Sequence, residues 1–147
     1  MDRTALAALA TIAAGALVGM QAPINSILGK AVGTFAAASV SFAIGLAVLV
    51  AITLVAGGFG DLGEAGGLSW YYLTGGLLGA AYVATVLVTV RTLGAGGVAA
   101  ATIAGQLTMS VLLDRAGALG LEERGLTLPR VVGIGLLAAG TFLIVRE

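Results

Sequence analysis

The charged residues of this chain stand far apart. Uncharged stretches of 26, 30, 26, 22 and 15 residues separate Arg3 from Lys30, Lys30 from Asp61, Glu64 from Arg91, Arg91 from Asp114 and Arg130 from Arg146. A bilayer core about 30 Å thick is crossed by a helix of about 20 apolar residues. Each of the first four stretches is that long. The fifth is shorter, but residues 126–129 extend it, because the long stem of Arg130 can carry its head to the interface. The spacing therefore predicts five transmembrane helices, over residues 4–27, 35–56, 70–90, 97–113 and 128–145, in a single transmembrane domain spanning 1–147. The expected fold class is an all-α membrane protein.

Composition narrows the chemistry. Of 147 residues, 59% are hydrophobic and 10% charged, with a mean hydropathy of +1.11. A soluble domain needs about 25% charged residues to cover its surface, so an ordinary soluble enzyme is excluded. There is no Cys and no His, which removes disulfides, thiolate nucleophiles and the commonest acid/base and metal-binding side chain. No Ser/Lys, Asp/Asp or metal-ligand constellation falls within the spans, so neither an enzyme nor a bound cofactor or metal is expected. Net charge is zero, without the basic footprint that a nucleic-acid partner requires.

Flanking residues support these boundaries. Trp70, Tyr71 and Tyr72 cluster where helix 3 should meet the headgroups. Thr127 is a candidate N-cap with Pro129 in the first turn of helix 5. Residues 57–67 hold six Gly with Asp61 and Glu64 and read as a flexible exposed loop. The N-terminal apolar run outlasts the 7–15 residues of a secretory signal and has no clean cleavage site, so the first helix is expected to be retained. Pairs spaced by four, Gly15/Gly19, Gly75/Gly79 and Gly76/Ala80, indicate close helix packing.

With five spans the termini lie on opposite sides. The N-terminal side carries Arg3, Arg115, Arg124 and Arg130, and the other carries Lys30, Arg91 and Arg146. Cytoplasmic loops normally hold a clear excess of Lys and Arg. The balance leaves two readings: one orientation wins on a small margin, or the chain inserts both ways up. In the second case the natural assembly is an antiparallel dimer of ten helices enclosing one central site.

Polar residues inside the spans need partners or water. Gln21 and Asn25, four apart, share a face of helix 1, and Pro23 between them removes a backbone N–H. Either these form a solute site at a broken helix, or Pro23 ends the membrane part of helix 1 and both amides sit at the interface. In helix 4, Thr102, Gln106, Ser110 and Asp114 recur every four residues and form a polar stripe. Gln106, near mid-span, should face the bundle interior, because an unpartnered amide in hydrocarbon is costly. Tyr82 either lines the same cavity or bonds a neighbouring backbone group. Arg91, at the end of helix 3, either attracts an anionic solute or anchors the helix.

Five segments, taken in order, carry a resemblance: Gln21-Ala22-Pro23-Ile24-Asn25-Ser26-Ile27-Leu28-Gly29, Ser41-Phe42-Ala43-Ile44-Gly45, Gly75-Gly76-Leu77-Leu78-Gly79-Ala80, Gly105-Gln106-Leu107 and Asp114-Arg115-Ala116-Gly117. The chain resembles the YdcZ-like inner-membrane exporters of the DMT superfamily. The resemblance implies export of a small metabolite across a prokaryotic inner membrane, by single-domain, paired or fused ten-helix proteins. The related small multidrug resistance transporters couple protons through a glutamate in their first helix. Here that helix offers only Gln21 and Asn25, which leaves Asp114 as the carboxylate for any proton coupling.

The expected function is thus secondary transport of a small polar metabolite by alternating access, with Gln21, Asn25, Tyr82 and Gln106 contacting the solute. Its partners are the lipid bilayer, the solute, and a second copy or a paralogous chain. The alternative is a non-transporting membrane scaffold or regulatory subunit, which would dock partners through residues 114–130.

Overall fold

The computed structural model describes residues 2–146, and the side chains of residues 61, 62 and 65 lie outside the description. Every regular element among the described residues is helical. Helix α1 (Arg3–Val32) starts where the Asp2 carboxylate accepts the Thr4 N–H at 2.8 Å, an N-cap that satisfies an orphan donor. It ends at Gly33, whose φ of 90° departs from helical conformation. That single residue also starts helix α2 (Thr34–Ala56), so α1 and α2 form a hairpin with almost no loop. Gly57, left-handed at φ 71°, terminates α2, and its N–H returns to the Leu54 and Thr53 carbonyls.

Residues 57–67, expected as a flexible loop, instead fold into a turn followed by a 3-10 helix over Gly60–Gly67. Trp70–Thr74 is also 3-10 helical, with the Tyr71 and Tyr72 rings 4.3 Å apart, so α-helix begins only at Gly75. The spans expected over 70–90 and 97–113 both fall in one element, α3 (Gly75–Ala116), which leaves helical conformation at Gly94 (φ 67°, ψ 172°). A glycine reaches such angles without steric penalty, and one residue replaces the expected connecting segment. Helix α4 (Leu128–Val145) matches the expected fifth span, with Pro129 in its first turn. Thr127 occupies the N-cap position, but its side chain makes no capping bond. Four stretches, Arg3–Val32, Thr34–Ala56, Trp70–Ala116 and Leu128–Val145, are long and apolar enough to cross a membrane.

Pro23 does not break α1, which runs through it without interruption. Proline removes one hydrogen bond, the one to the carbonyl of the residue four back, here Gly19. Flanking turns carry the helix across this gap.

The chain packs as two compact units, Met1–Arg91 and Thr92–Glu147. In the first, the buried residues of α1 are Ala22, Asn25, Ser26 and Gly29, small or polar and at helical spacing. The core beside them is Ala37 and Ala38 of α2 with Val83 and Leu87 of α3, flanked by Leu28 and Tyr82. Small side chains on α1 and α2 let backbones approach closely, which is how helices associate in lipid. Packing is thus concentrated near the α1–α2 turn. Farther from it, Gly15, Gly19, Gly75 and Gly76 have open space where a side chain would stand, and only Gly79 is approached, by the Phe42 ring at 3.7 Å. The glycine pairs expected to mark tight packing therefore pack little within the unit. In the second unit Val98, Ala100 and Val111 are buried, and the Thr141 hydroxyl of α4 donates to the Ala100 carbonyl at 3.1 Å.

Candidate functional site

Asn25 is 6% exposed and, with Ser26, makes up the buried polar residues among those described. Its position follows from the small-residue face of α1: Ala22 and Gly29, one turn to either side, bring α2 and α3 close enough to cover it. The Asn25 Nδ2 donates to the Ser41 hydroxyl of α2 at 3.1 Å. Ser41 lies in one of the family-like segments and is not among the site residues expected from the sequence. Its signal in the sequence was a small hydroxyl in an apolar helix, facing an amide that no local partner could satisfy.

On the α3 side of Asn25 lies a cavity of about 10 Å³, lined by Val18, Gln21, Ala22 and Asn25 of α1 and by Tyr82, Val83, Val86 and Leu87 of α3. That is room for about one water-sized group. A second, more open space of about 310 Å³ lies against α2, bounded by Gln21, Ser41, Phe42, Gly45, Leu46 and Leu49. Gln21 borders both. The fold thus brings Gln21, Asn25 and Tyr82 to one cavity, which apolar side chains otherwise enclose. Among the described residues, no Asp, Glu, Lys or Arg lines either space. The cavity can hydrogen-bond a solute group through amides and a phenol.

Just beyond this cavity, Arg91 reaches back over α1. Its Nη2 donates to the Thr34 hydroxyl at 3.3 Å and stands 3.2 Å from where a side chain on Gly29 would begin. The hydroxyls of Thr85 and Thr89 are spent on carbonyls one turn back, Ala81 at 2.9 Å and Thr85 at 3.0 Å.

The helix 4 stripe is arranged differently. Gln106 and Ser110 are exposed within the second unit, while Thr102 is half-buried. Asp114 is partly covered because Arg130 at the start of α4 stands against it, Nη1 to Oδ2 at 3.4 Å, both side chains 30% exposed. That Nη1 is shielded from solvent and makes no directed hydrogen bond. The Asp114 carbonyl accepts the Arg124 N–H at 2.8 Å, which folds residues 117–127 back over the helix end.

Fold and site together define an all-helical membrane protein with a small amide-lined cavity inside its first helical unit. Residues 6–143 match the model of the family described as "Putative inner membrane exporter, YdcZ". The chain belongs to this family. No curated protein and no solved structure matches it.

Proposed function

We propose that the chain is a secondary transporter that exports a small polar metabolite across a prokaryotic inner membrane by alternating access. Membership of an inner-membrane exporter family supports the transporter class. The observation that carries the site is Asn25, a buried amide inside a membrane-type helix, at a cavity shared with Gln21 and Tyr82. Intramembrane polar groups are costly unless they are used.

In this reading the chain crosses the membrane five times. The 42 residues of α3 amount to about 63 Å of helix at 1.5 Å per residue, about two bilayer cores, and Gly94 separates the two crossings. The functional assembly is an antiparallel dimer, of two identical copies or of this chain and a paralogue. The near-even division of Lys and Arg favours insertion in both orientations, and the unoccupied glycine faces of α1 and α3 suit helix contact. Gln106, exposed in its own unit, joins Gln21, Asn25 and Tyr82 at the central site of the assembly. Asp114 is the proton-coupling carboxylate: a proton on it would dissolve the pair with Arg130 and free the segment that the pair holds.

Vesicles reconstituted with the purified chain and loaded with a mixture of small metabolites test the function. Loss of at least one compound faster than from protein-free vesicles is the expected result. Retention of all of them at the protein-free rate would reject transport.

A further inference from the structure

The Arg91 head is held against the turn between α1 and α2, although its side chain is exposed. Its Nη2 donates to the Thr34 hydroxyl at 3.3 Å and lies 3.2 Å from where a Cβ on the buried Gly29 would stand. A methyl group there would press on the guanidinium more closely than ordinary van der Waals contact allows. A guanidinium is a permanent cation with five N–H donors in a planar fork. Thr34 is the one acceptor for them among the described residues.

The sequence around this corner supplies no counter-ion. No acidic residue occurs between Asp2 and Asp61, or between Glu64 and Asp114. Asp2 caps the opposite end of α1, and Asp61 and Glu64 follow the far end of α2. Lys30, exposed in the last turn of α1 and next to Gly29 in the chain, is a second cation at the same turn. Neither Lys30 nor Arg91 forms an ion pair among the described residues.

We propose that this corner binds the phosphate of an anionic phospholipid. Arg91 is the residue that touches it, and Gly29 and Thr34 position the guanidinium. Arg91 lies about 24 Å of helix beyond Gly75, and the Trp70, Tyr71 and Tyr72 rings that precede Gly75 mark the opposite interface. That places the guanidinium near the edge of the hydrocarbon core, at the depth of lipid phosphates. Its fork matches two phosphate oxygens at once. A zwitterionic headgroup brings its own cation, whereas an anionic one leaves a net charge for Lys30 to attract, an effect of about fivefold per basic residue. The inference rests on the membrane placement of α1 to α3 and is independent of transport.

The full-length protein in detergent is mixed with equal amounts of phosphatidylglycerol and phosphatidylcholine carrying the same chains, and the lipid that stays bound is counted by native mass spectrometry. Compact charge states in the same spectra identify the folded variants. At least fivefold more phosphatidylglycerol than phosphatidylcholine is expected, and Arg91→Gln should remove the difference. Gly29→Ala and Thr34→Val keep every charge but disturb the contact that holds the guanidinium. Each should lower phosphatidylglycerol retention at least threefold, while Thr34→Ser, which keeps the hydroxyl, should leave it unchanged. Equal retention of the two lipids, or a preference that survives Arg91→Gln, would overturn the site. Undiminished retention in both Gly29→Ala and Thr34→Val would overturn their positioning role. Sodium phosphate that strips the lipid more than sodium chloride of equal ionic strength would assign the corner to a free oxyanion and overturn the lipid as its ligand.

Discussion

Two polar stripes of the same spacing have opposite surroundings in this molecule. Gln21 and Asn25 on α1, and Thr102, Gln106, Ser110 and Asp114 on α3, both recur every four residues and both define a face. On α1 the face is flanked by Ala22, Ser26 and Gly29, and α2 and α3 close over it until Asn25 is 6% exposed. On α3 the neighbours include Ile103, Leu107 and Met109, all exposed, and Gln106 stays open within its unit. Periodicity locates a face, and the size of the residues beside it decides whether another helix can cover it. In the first stripe Asn25 is covered within its unit while Gln21 stays exposed, whereas the second needs something further to cover it. In the proposed dimer that cover is the assembly itself.

This contrast can be broken by substitution. The largest expected effect is from Asn25→Leu, which removes the cavity's buried amide and leaves the Ser41 hydroxyl without its partner. Metabolite efflux from vesicles should be lost entirely, with destabilisation of about 1–3 kcal/mol for the stranded polar group. Gln106→Leu should also abolish efflux, but with no loss of folding stability and an intact dimer by size-exclusion chromatography. Unchanged efflux would remove Gln106 from the site and leave the α1 cavity as the whole of it.

An orientation effect should follow from two Lys added beside Arg115. They unbalance the charge count and should bias insertion to one orientation, read by protease or thiol mapping of the termini. If both orientations are needed, activity should fall as uniformity rises, and full activity from a uniformly oriented population would contradict the antiparallel dimer. Gly94→Ala places a Cβ at φ 67°, ψ 172°, angles that essentially only glycine adopts, at a cost of about 1–3 kcal/mol. Reversible unfolding in detergent reads that cost. The smallest effect is expected from Asp114→Asn: the pair with Arg130 is 30% exposed on each side, so its loss should change stability by at most about 1 kcal/mol. A change in the pH dependence of efflux, with stability nearly constant, would mark Asp114 as the coupling group.

Much of the fold was legible in the spacing of charges. The ends of α2 and α4 fall within a residue of expectation, because apolar length and the residues Gly57 and Pro129 set them locally. The two interruptions were legible only in part: a break between residues 90 and 97 was expected and falls at Gly94, while α1 runs unbroken through Pro23. Pro23 left open a break or an end of the membrane part of helix 1, yet a long helix can lose one hydrogen bond and continue. That Gly94 alone makes that break was not legible among 24 glycines, since composition does not show which glycine takes a positive φ. At the site, Gln21, Asn25 and Tyr82 were readable as intramembrane polar groups. Ser41 was not, because its role depends on α1 and α2 meeting across a one-residue turn.

In the proposed transport cycle the solute depends most directly on Asn25. Vesicles holding equal amounts of wild-type chain and Asn25→Leu, loaded with the same metabolite mixture and sampled by mass spectrometry, would measure its contribution. Loss of at least one compound from the wild-type vesicles alone is the predicted result. Loss of the same compound at the same rate from both would contradict the assignment of the α1 cavity as the transport site.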